Sequence, residues 1–196
     1  MPAIPNVRNR RKSSPNALIN ALSEGRLIVH QHPYSVLTTT AVQGQLIFTP
    51  CPGTKDASVA EALDTLKAAG ASALLTLMPT EELSQNEVEN LPEQCQQHGI
   101  EWFHLPVEDD QAPVESFQVA WEANRERIKQ LLTEGKNIAI HCKGGSGRTG
   151  LIAAQLLIEC AVPFREAVSE VQALRPRAIQ HPAHINYISQ FDIAKS

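Results

Sequence analysis

The stretch that decides the fold is NIAIHCKGGSGRTGLIAA, residues 137–154. It begins with a short apolar segment over 137–141 that contains β-branched residues, which predicts a buried strand. A glycine-rich loop follows, and the apolar run after it predicts a helix over 149–160. A strand, a glycine-rich loop and a helix in this order form a unit whose loop N–H groups can surround one anion.

The residue types in this loop suit phosphate chemistry. Cys142 lies where loop amides and the helix dipole favour a thiolate nucleophile. Arg148 presents a planar fork that matches two phosphate oxygens, and Thr149 can direct its hydroxyl at the sulfur. The glycines of the loop are expected to adopt unusual backbone dihedrals that turn successive N–H groups inward. The predicted phosphate cradle also contains Lys143, Gly144, Gly145, Ser146 and Gly147.

In this setting, His141-Cys142, five further residues and then Arg148-Thr149-Gly150 resemble the signature of the cysteine-dependent protein tyrosine and dual-specificity phosphatases. Residues 105–113, LPVEDDQAP, are similar to the general-acid loop of that family. Residues 174–191 are similar to the end of the small atypical dual-specificity phosphatases of the kinase-associated phosphatase type. The resemblance runs from about residue 45 to about residue 194.

The resemblance implies an activity and assigns roles. The chain would hydrolyse phosphotyrosine through a phosphocysteine intermediate, and the short loops favour a shallow pocket that also admits phosphoserine and phosphothreonine. Cys142 would be the nucleophile, Arg148 the phosphate clamp and Asp109 the general acid, with the neighbouring Asp110 as the alternative acid. Thr149 would ease the departure of the sulfur, and no metal or other cofactor is implied.

Three other functions compete with a protein phosphatase. Lys143 follows the cysteine as in some inositol-lipid phosphatases, although the second loop lysine of those enzymes is Ser146 here. A phosphate-reading module without turnover would use the same cradle for binding alone. A rhodanese-like sulfurtransferase also places a cysteine at the start of an anion-binding loop, but it would need no acid loop.

Several polar residues outside the cradle are candidates for other roles. The family resemblance suggests that Gln180 positions the hydrolytic water, with a helix-cap or solvated-loop role as the alternative. His30 and His32, and likewise His181 and His184, have spacings that suggest a metal. Because they lack cysteine or carboxylate neighbours at ligand spacing, we expect surface or capping residues and no metal site.

Strands and helices alternate along the chain, which favours an α/β fold with a central mixed, mainly parallel sheet flanked by helices. We predict strands over 27–30, 46–48, 73–77, 101–105 and 137–141. We predict helices over 56–69, 86–97, 114–133, 149–160, 163–174 and 182–193.

Composition bounds the remaining possibilities. With 196 residues, of which 42% are hydrophobic, the chain can build one core, which we assign to a single catalytic domain over 16–196. Residues 1–15 are expected to form a disordered basic tail, while the rest of the chain is acidic, which argues against a nucleic-acid partner. No apolar stretch is long enough for membrane insertion. Four cysteines without a C-x-x-C pair indicate thiols and a cytoplasmic location, although their even number also permits a disulfide. The partner predicted from the sequence is a phosphorylated protein, and nothing in it indicates an oligomeric state.

Overall fold

The computed structural model describes residues 31–192, which form a five-stranded sheet in the order β1-β2-β5-β3-β4. β1 pairs with β2 in antiparallel register, and all the other pairs are parallel. The predicted mixed, mainly parallel sheet is therefore confirmed. The strands are β1 (Ser35–Leu37), β2 (Leu46–Pro50), β3 (Ala71–Thr76), β4 (Glu101–His104) and β5 (Asn137–Cys142).

Helices cover both faces of the sheet because successive strand residues point to opposite sides. Ala139 packs with α1 to α3 on one face, whereas Ile138 and Ile140 pack with α4 to α7 on the other. The helices are α1 (Val59–Ala68), α2 (Thr80–Gln85), α3 (Leu91–Gln97), α4 (Glu115–Thr133), α5 (Gly147–Glu159), α6 (Phe164–Leu174) and α7 (Pro182–Ile188). A 3₁₀-helix over Ser189–Phe191 follows α7.

Two short elements were not predicted, and several helix boundaries differ from the structure. The three-residue β1 was not predicted because it is too short to show a period. α2 was not predicted either, since it is short and polar and buries only Leu83. The helix predicted over 86–97 begins only at Leu91, since Glu87 adopts a left-handed φ of 56°. The last helix ends at Ile188 and is followed by the 3₁₀-helix. The predicted strand over 27–30 and the predicted tail over 1–15 lie outside the described residues.

The central strand β5 positions the site. It pairs in parallel with β2 on one side and with β3 on the other. Its last residue, Cys142, lies opposite Pro50, the last residue of β2. Loops that follow the carboxyl ends of parallel strands meet at one edge of a sheet, which is where such folds bind ligands. Cys142 is thus held at the carboxyl end of the central strand, which is paired on both sides.

Candidate active site

Cys142 is the last residue of β5 and directly precedes the loop that leads to α5. Its side chain is buried, with the residue 4% exposed, and the hydroxyl of Thr149 donates to its sulfur at 3.3 Å. Thr149 reaches back because α5 begins at Gly147, two residues before the predicted start, so that it lies in the first helical turn. The structure therefore brings the predicted nucleophile and the predicted hydroxyl donor together.

One glycine of the loop is required by its geometry. Gly145 has a φ of 71°, and a Cβ on it would lie 2.5 Å from the carbonyl carbon and oxygen of Thr49. Gly144 and Gly147 have no φ in the left-handed region, so Gly145 is the one of the three loop glycines with a positive φ. A Cβ on Gly144 would meet nothing within 4 Å, because its position is open. Arg175, which the sequence did not suggest, donates from Nε to the carbonyl of Gly145 at 3.1 Å.

Arg148 is almost fully buried and highly connected. Its two terminal nitrogens donate to the carboxylate of Glu82 at 2.6 and 2.9 Å, and Nη1 also donates to the carbonyl of Val107 at 3.0 Å. Burial is the largest single influence and acts to lower the pKa of Arg148, but the hydrogen bonds to Glu82 together with the electrostatic attraction of Cys142, Glu82 and Asp109 outweigh it and raise the pKa. Nε is buried without a partner among the described residues. A guanidinium that stays charged and keeps one unused donor is suited to a phosphate oxygen.

Glu82 is another residue of the candidate site that sequence reasoning missed. It lies on α2, 66 positions before Arg148, and no motif marks it. The sequence hints at Glu82 only through a general rule, which is that a buried arginine needs a carboxylate partner. That rule does not separate Glu82 from its exposed neighbour Glu81.

The predicted acid loop lies over the cradle. One carboxylate oxygen of Asp109 is 3.2 Å from Nη2 of Arg148, and the Asp109 side chain is 72% exposed. Asp110 is also exposed and adopts a left-handed φ of 55°. Both carboxylates line a cleft of about 340 Å³. The other lining residues are Cys142, Lys143, Gly144, Ser146, Gly147, Arg148 and His184. The contact with Arg148 favours Asp109 over Asp110, although both can reach the cleft.

His141 has a structural environment. It is fully buried, and its Nε2 lies 2.8 Å from the hydroxyl of Thr76. The indole N–H of Trp102 donates to the same hydroxyl oxygen at 2.8 Å. Burial lowers the pKa of His141 to about 3, so the imidazole is neutral at physiological pH and holds the end of β5 in place.

A family model described as "Polymorphic toxin system, DSP-PTPase phosphatase" matches residues 51–161, more than half of the chain. The chain belongs to this DSP-PTPase family.

Curated relatives agree with the family. Cyclin-dependent kinase inhibitor 3 of Rattus norvegicus is 31% identical over 131 residues, which cover 65% of this chain and 60% of the relative. The tyrosine-protein phosphatase CDC14 of Saccharomyces cerevisiae is 33% identical over 100 residues, 48% of this chain and 17% of the relative. The matched part of the chain spans about 60% of the length of the kinase inhibitor 3 relatives.

Solved structures show the same DSP-PTPase fold. Kinase associated phosphatase (KAP), with its catalytic-site cysteine replaced by serine, superposes with a TM-score of 0.73 at 27% identity. That match covers 83% of this chain and 94% of KAP. The active form of Tk-PTP gives a TM-score of 0.58 at 25% identity, covering 79% and 98% of the two chains. The predicted resemblance to atypical dual-specificity phosphatases is confirmed.

The remaining candidates of this DSP-PTPase lie in different environments. Gln180 is exposed, donates to the carbonyl of Pro176 at 3.4 Å and does not line the cleft, so its water-positioning role stays a prediction. His181 caps α7 by accepting from the N–H of Ala183. The expected surface or capping position is wrong for two histidines. His32 is 1% exposed, and His184 is buried in the cleft wall because α7 packs onto α5. In residues 31–192 no group of three or more histidine, cysteine or carboxylate side chains could hold a metal.

Proposed function

We propose that this chain hydrolyses phosphate monoesters of protein side chains, phosphotyrosine and in addition phosphoserine and phosphothreonine, through a phosphocysteine intermediate. The observation that carries the proposal is the convergence of Cys142, Arg148 and Asp109 on one cleft. Relatives named as protein phosphatases support it.

The first step is an in-line displacement at phosphorus. The thiolate of Cys142 forms the S–P bond while the ester P–O bond breaks, and the leaving oxygen takes the proton of the Asp109 carboxyl group. Asp109 contacts Arg148 in the free protein. A phosphate group competes for the same guanidinium, so substrate binding frees the carboxyl group to face the leaving oxygen. The loop N–H groups and the guanidinium stabilise the charge on the remaining oxygens.

The second step releases phosphate. The Asp109 carboxylate takes a proton from water, the water oxygen attacks phosphorus and the S–P bond breaks. The sulfur leaves as a thiolate, which the hydroxyl of Thr149 stabilises through its 3.3 Å contact. Both steps use only groups of this chain, so we expect turnover to persist in the presence of a chelator.

The proposal extends to organisation and location. We infer one catalytic domain over 16–196 preceded by a basic tail over 1–15, supported by the single sheet of the described residues. A cytoplasmic location is supported by the four cysteines, none of which forms a disulfide. No helix within residues 31–192 is long and apolar enough to cross a membrane.

The deciding experiment compares the wild type with Cys142→Ser on phosphotyrosyl peptides, phosphothreonyl peptides and inositol phosphates. We expect the wild type to hydrolyse the peptides and Cys142→Ser to lose turnover while keeping its fold. Cys160→Ser, at a half-buried thiol outside the cleft, is the matched control. Turnover retained by Cys142→Ser would contradict the proposal.

Other outcomes identify the competing functions. Binding of phosphopeptide by the wild type without hydrolysis would indicate a reading module. Preference for inositol phosphates would move the substrate to lipid headgroups, with Lys143 as the extra cation. A persulfide on Cys142 together with thiosulfate activity would indicate sulfur transfer.

A further inference from the structure

One buried histidine lies against both the acid loop and the phosphate cradle. His184 lies on α7 and is 2% exposed, yet the chemistry described above gives it no role. Its Nε2 lies 3.1 Å from the carbonyl oxygen of Gln111, two residues after Asp109 in the acid loop. Its Cε1 would lie 3.8 Å from a Cβ on Gly147, so the same ring packs against the cradle.

The contact with Gln111 fixes the tautomer. A carbonyl oxygen can only accept, so Nε2 of His184 must carry the proton and donate it. Burial lowers the pKa of His184, with the Gln111 carbonyl acting in the opposite direction. The ring is therefore neutral at physiological pH and serves as a fixed donor, not as a cation for phosphate.

The acid loop is held at two places, one before and one after the turn that carries Asp109. The first part of the loop is held by Val107, whose N–H donates to the carbonyl of Leu77 at 2.9 Å and whose carbonyl accepts from Arg148. A turn follows, closed by a 3.2 Å hydrogen bond from the N–H of Gln111 to the carbonyl of Glu108. Beyond this turn, the bond from His184 fastens the loop to α7.

Helix α7 is itself anchored. The buried Tyr187 donates from its hydroxyl to Gln155 of α5 at 2.8 Å and accepts from Gln118 of α4 at 3.2 Å. His184 lies one turn before Tyr187 on the same helix. The donor that holds the acid loop is thus fixed to the helix that begins at the cradle.

We propose that His184 is a positioning residue for the general acid: through the carbonyl of Gln111 it holds the acid loop, and with it Asp109, over the phosphate cradle. The inference rests on the proposed phosphatase activity and on Asp109 as its acid.

The test uses substrates that differ in their need for an acid. In His184→Leu the donor is lost. The kcat for a phosphotyrosyl peptide should fall about tenfold or more, since misplacing a catalytic group by about 1 Å can cost about 100-fold. The kcat for 2,4-dinitrophenyl phosphate should fall less than about threefold, because its leaving group needs little protonation. His184→Gln, whose amide nitrogen can occupy the place of Nε2, should restore the peptide rate to within about threefold.

A double-mutant cycle separates positioning from a general structural role. In the Asp109→Ala background, His184→Leu should cause little further loss on the peptide, because the group it positions is already absent. His181→Asn changes an exposed histidine of the same helix while keeping a capping side chain, and it should behave as the wild type. If His184→Leu does not fold, His184→Asn supplies the same comparison with an amide too short to reach Gln111.

The outcomes distinguish this role from the proposed function. Equal losses on both substrates, wild-type peptide turnover in His184→Leu, failure of His184→Gln to restore the rate, or additive losses with Asp109→Ala would each overturn the role of His184 alone. A wild-type protein that hydrolyses neither ester would overturn the proposed function and this role with it.

Discussion

Arg148 of the phosphate cradle and Glu82 form a bidentate ion pair, with hydrogen bonds of 2.6 and 2.9 Å. The Arg148 side chain is 1% exposed and that of Glu82 is 18% exposed. Because both terminal nitrogens are engaged and water is largely excluded, the pair fixes the plane of the guanidinium. The clamp is therefore oriented before a phosphate arrives.

Glu82→Gln should weaken both the fold and catalysis. The variant leaves a buried guanidinium without its counter-charge, which we expect to lower the free energy of unfolding by about 2 to 3 kcal/mol. The same loss of orientation should reduce kcat/KM for a phosphotyrosyl peptide roughly 10- to 100-fold. Urea unfolding and steady-state kinetics measure the two effects.

Glu81→Gln is the matched control for this pair, since Glu81 is the exposed neighbour on the same short helix. It should leave both quantities close to those of the wild type. A Glu82→Gln protein with unchanged kcat/KM would mean that the cradle alone orients Arg148.

The choice of general acid can be tested with Asp109→Asn and Asp110→Asn. Asp109 contacts the clamp at 3.2 Å, so we expect its replacement to lower kcat for a phosphotyrosyl peptide by about 10²- to 10⁴-fold with little change in KM. The loss should be smaller for esters with good leaving groups. Asp110→Asn should lower kcat by less than about tenfold. If Asp110→Asn instead shows the large, leaving-group-dependent loss, the acid is Asp110.

Local sequence was sufficient to predict the part of the site that is continuous in the chain. Cys142, Arg148 and Thr149 are joined by one strand-loop-helix unit, so their types and spacing fix their meeting. The strands that carry the site were also predicted, because their apolar runs are bounded by clear helical segments.

Long-range partners could not be predicted in this way. Glu82 and Arg175 reach the cradle from α2 and from the end of α6, and nothing local distinguishes them from other charged residues. His184 was placed on the surface because a single polar residue in a short helix carries no periodicity that reveals burial. These residues become recognisable only when packing brings separate elements together.

Two neighbouring glycines offer a test of the loop geometry. A Cβ at Gly145 would lie 2.5 Å from the backbone of Thr49, at a φ of 71°. The cost combines a left-handed strain of about 1 to 2 kcal/mol with a backbone clash, so Gly145→Ala should lower the free energy of unfolding by at least about 2 kcal/mol. Gly144→Ala meets nothing within 4 Å and should change the free energy of unfolding by less than about 0.5 kcal/mol. Equal stabilities of the two variants would contradict the loop geometry.

The buried histidine at the end of β5 should make stability depend on pH. Burial lowers the pKa of His141 to about 3, whereas an exposed histidine in the unfolded chain titrates near about 6.5. Between these two values the unfolded chain binds a proton that the folded chain does not. The contribution of His141 to the free energy of unfolding is therefore fully present above about pH 6.5. It is lost as pH falls toward about 3, by up to about 1.4 kcal/mol per pH unit.

Urea unfolding at a series of pH values from about 7 to about 4, on the wild type and on His141→Asn, measures this contribution. Burial also lowers the pKa of His32 and of His184, so these residues add slope of the same sign in both proteins. The variant should be less stable at about pH 7 because it disturbs the contact with Thr76, but its slope against pH should be shallower. Because the slope and the overall loss are read separately, an unchanged slope in His141→Asn would show that His141 is not held neutral by the fold.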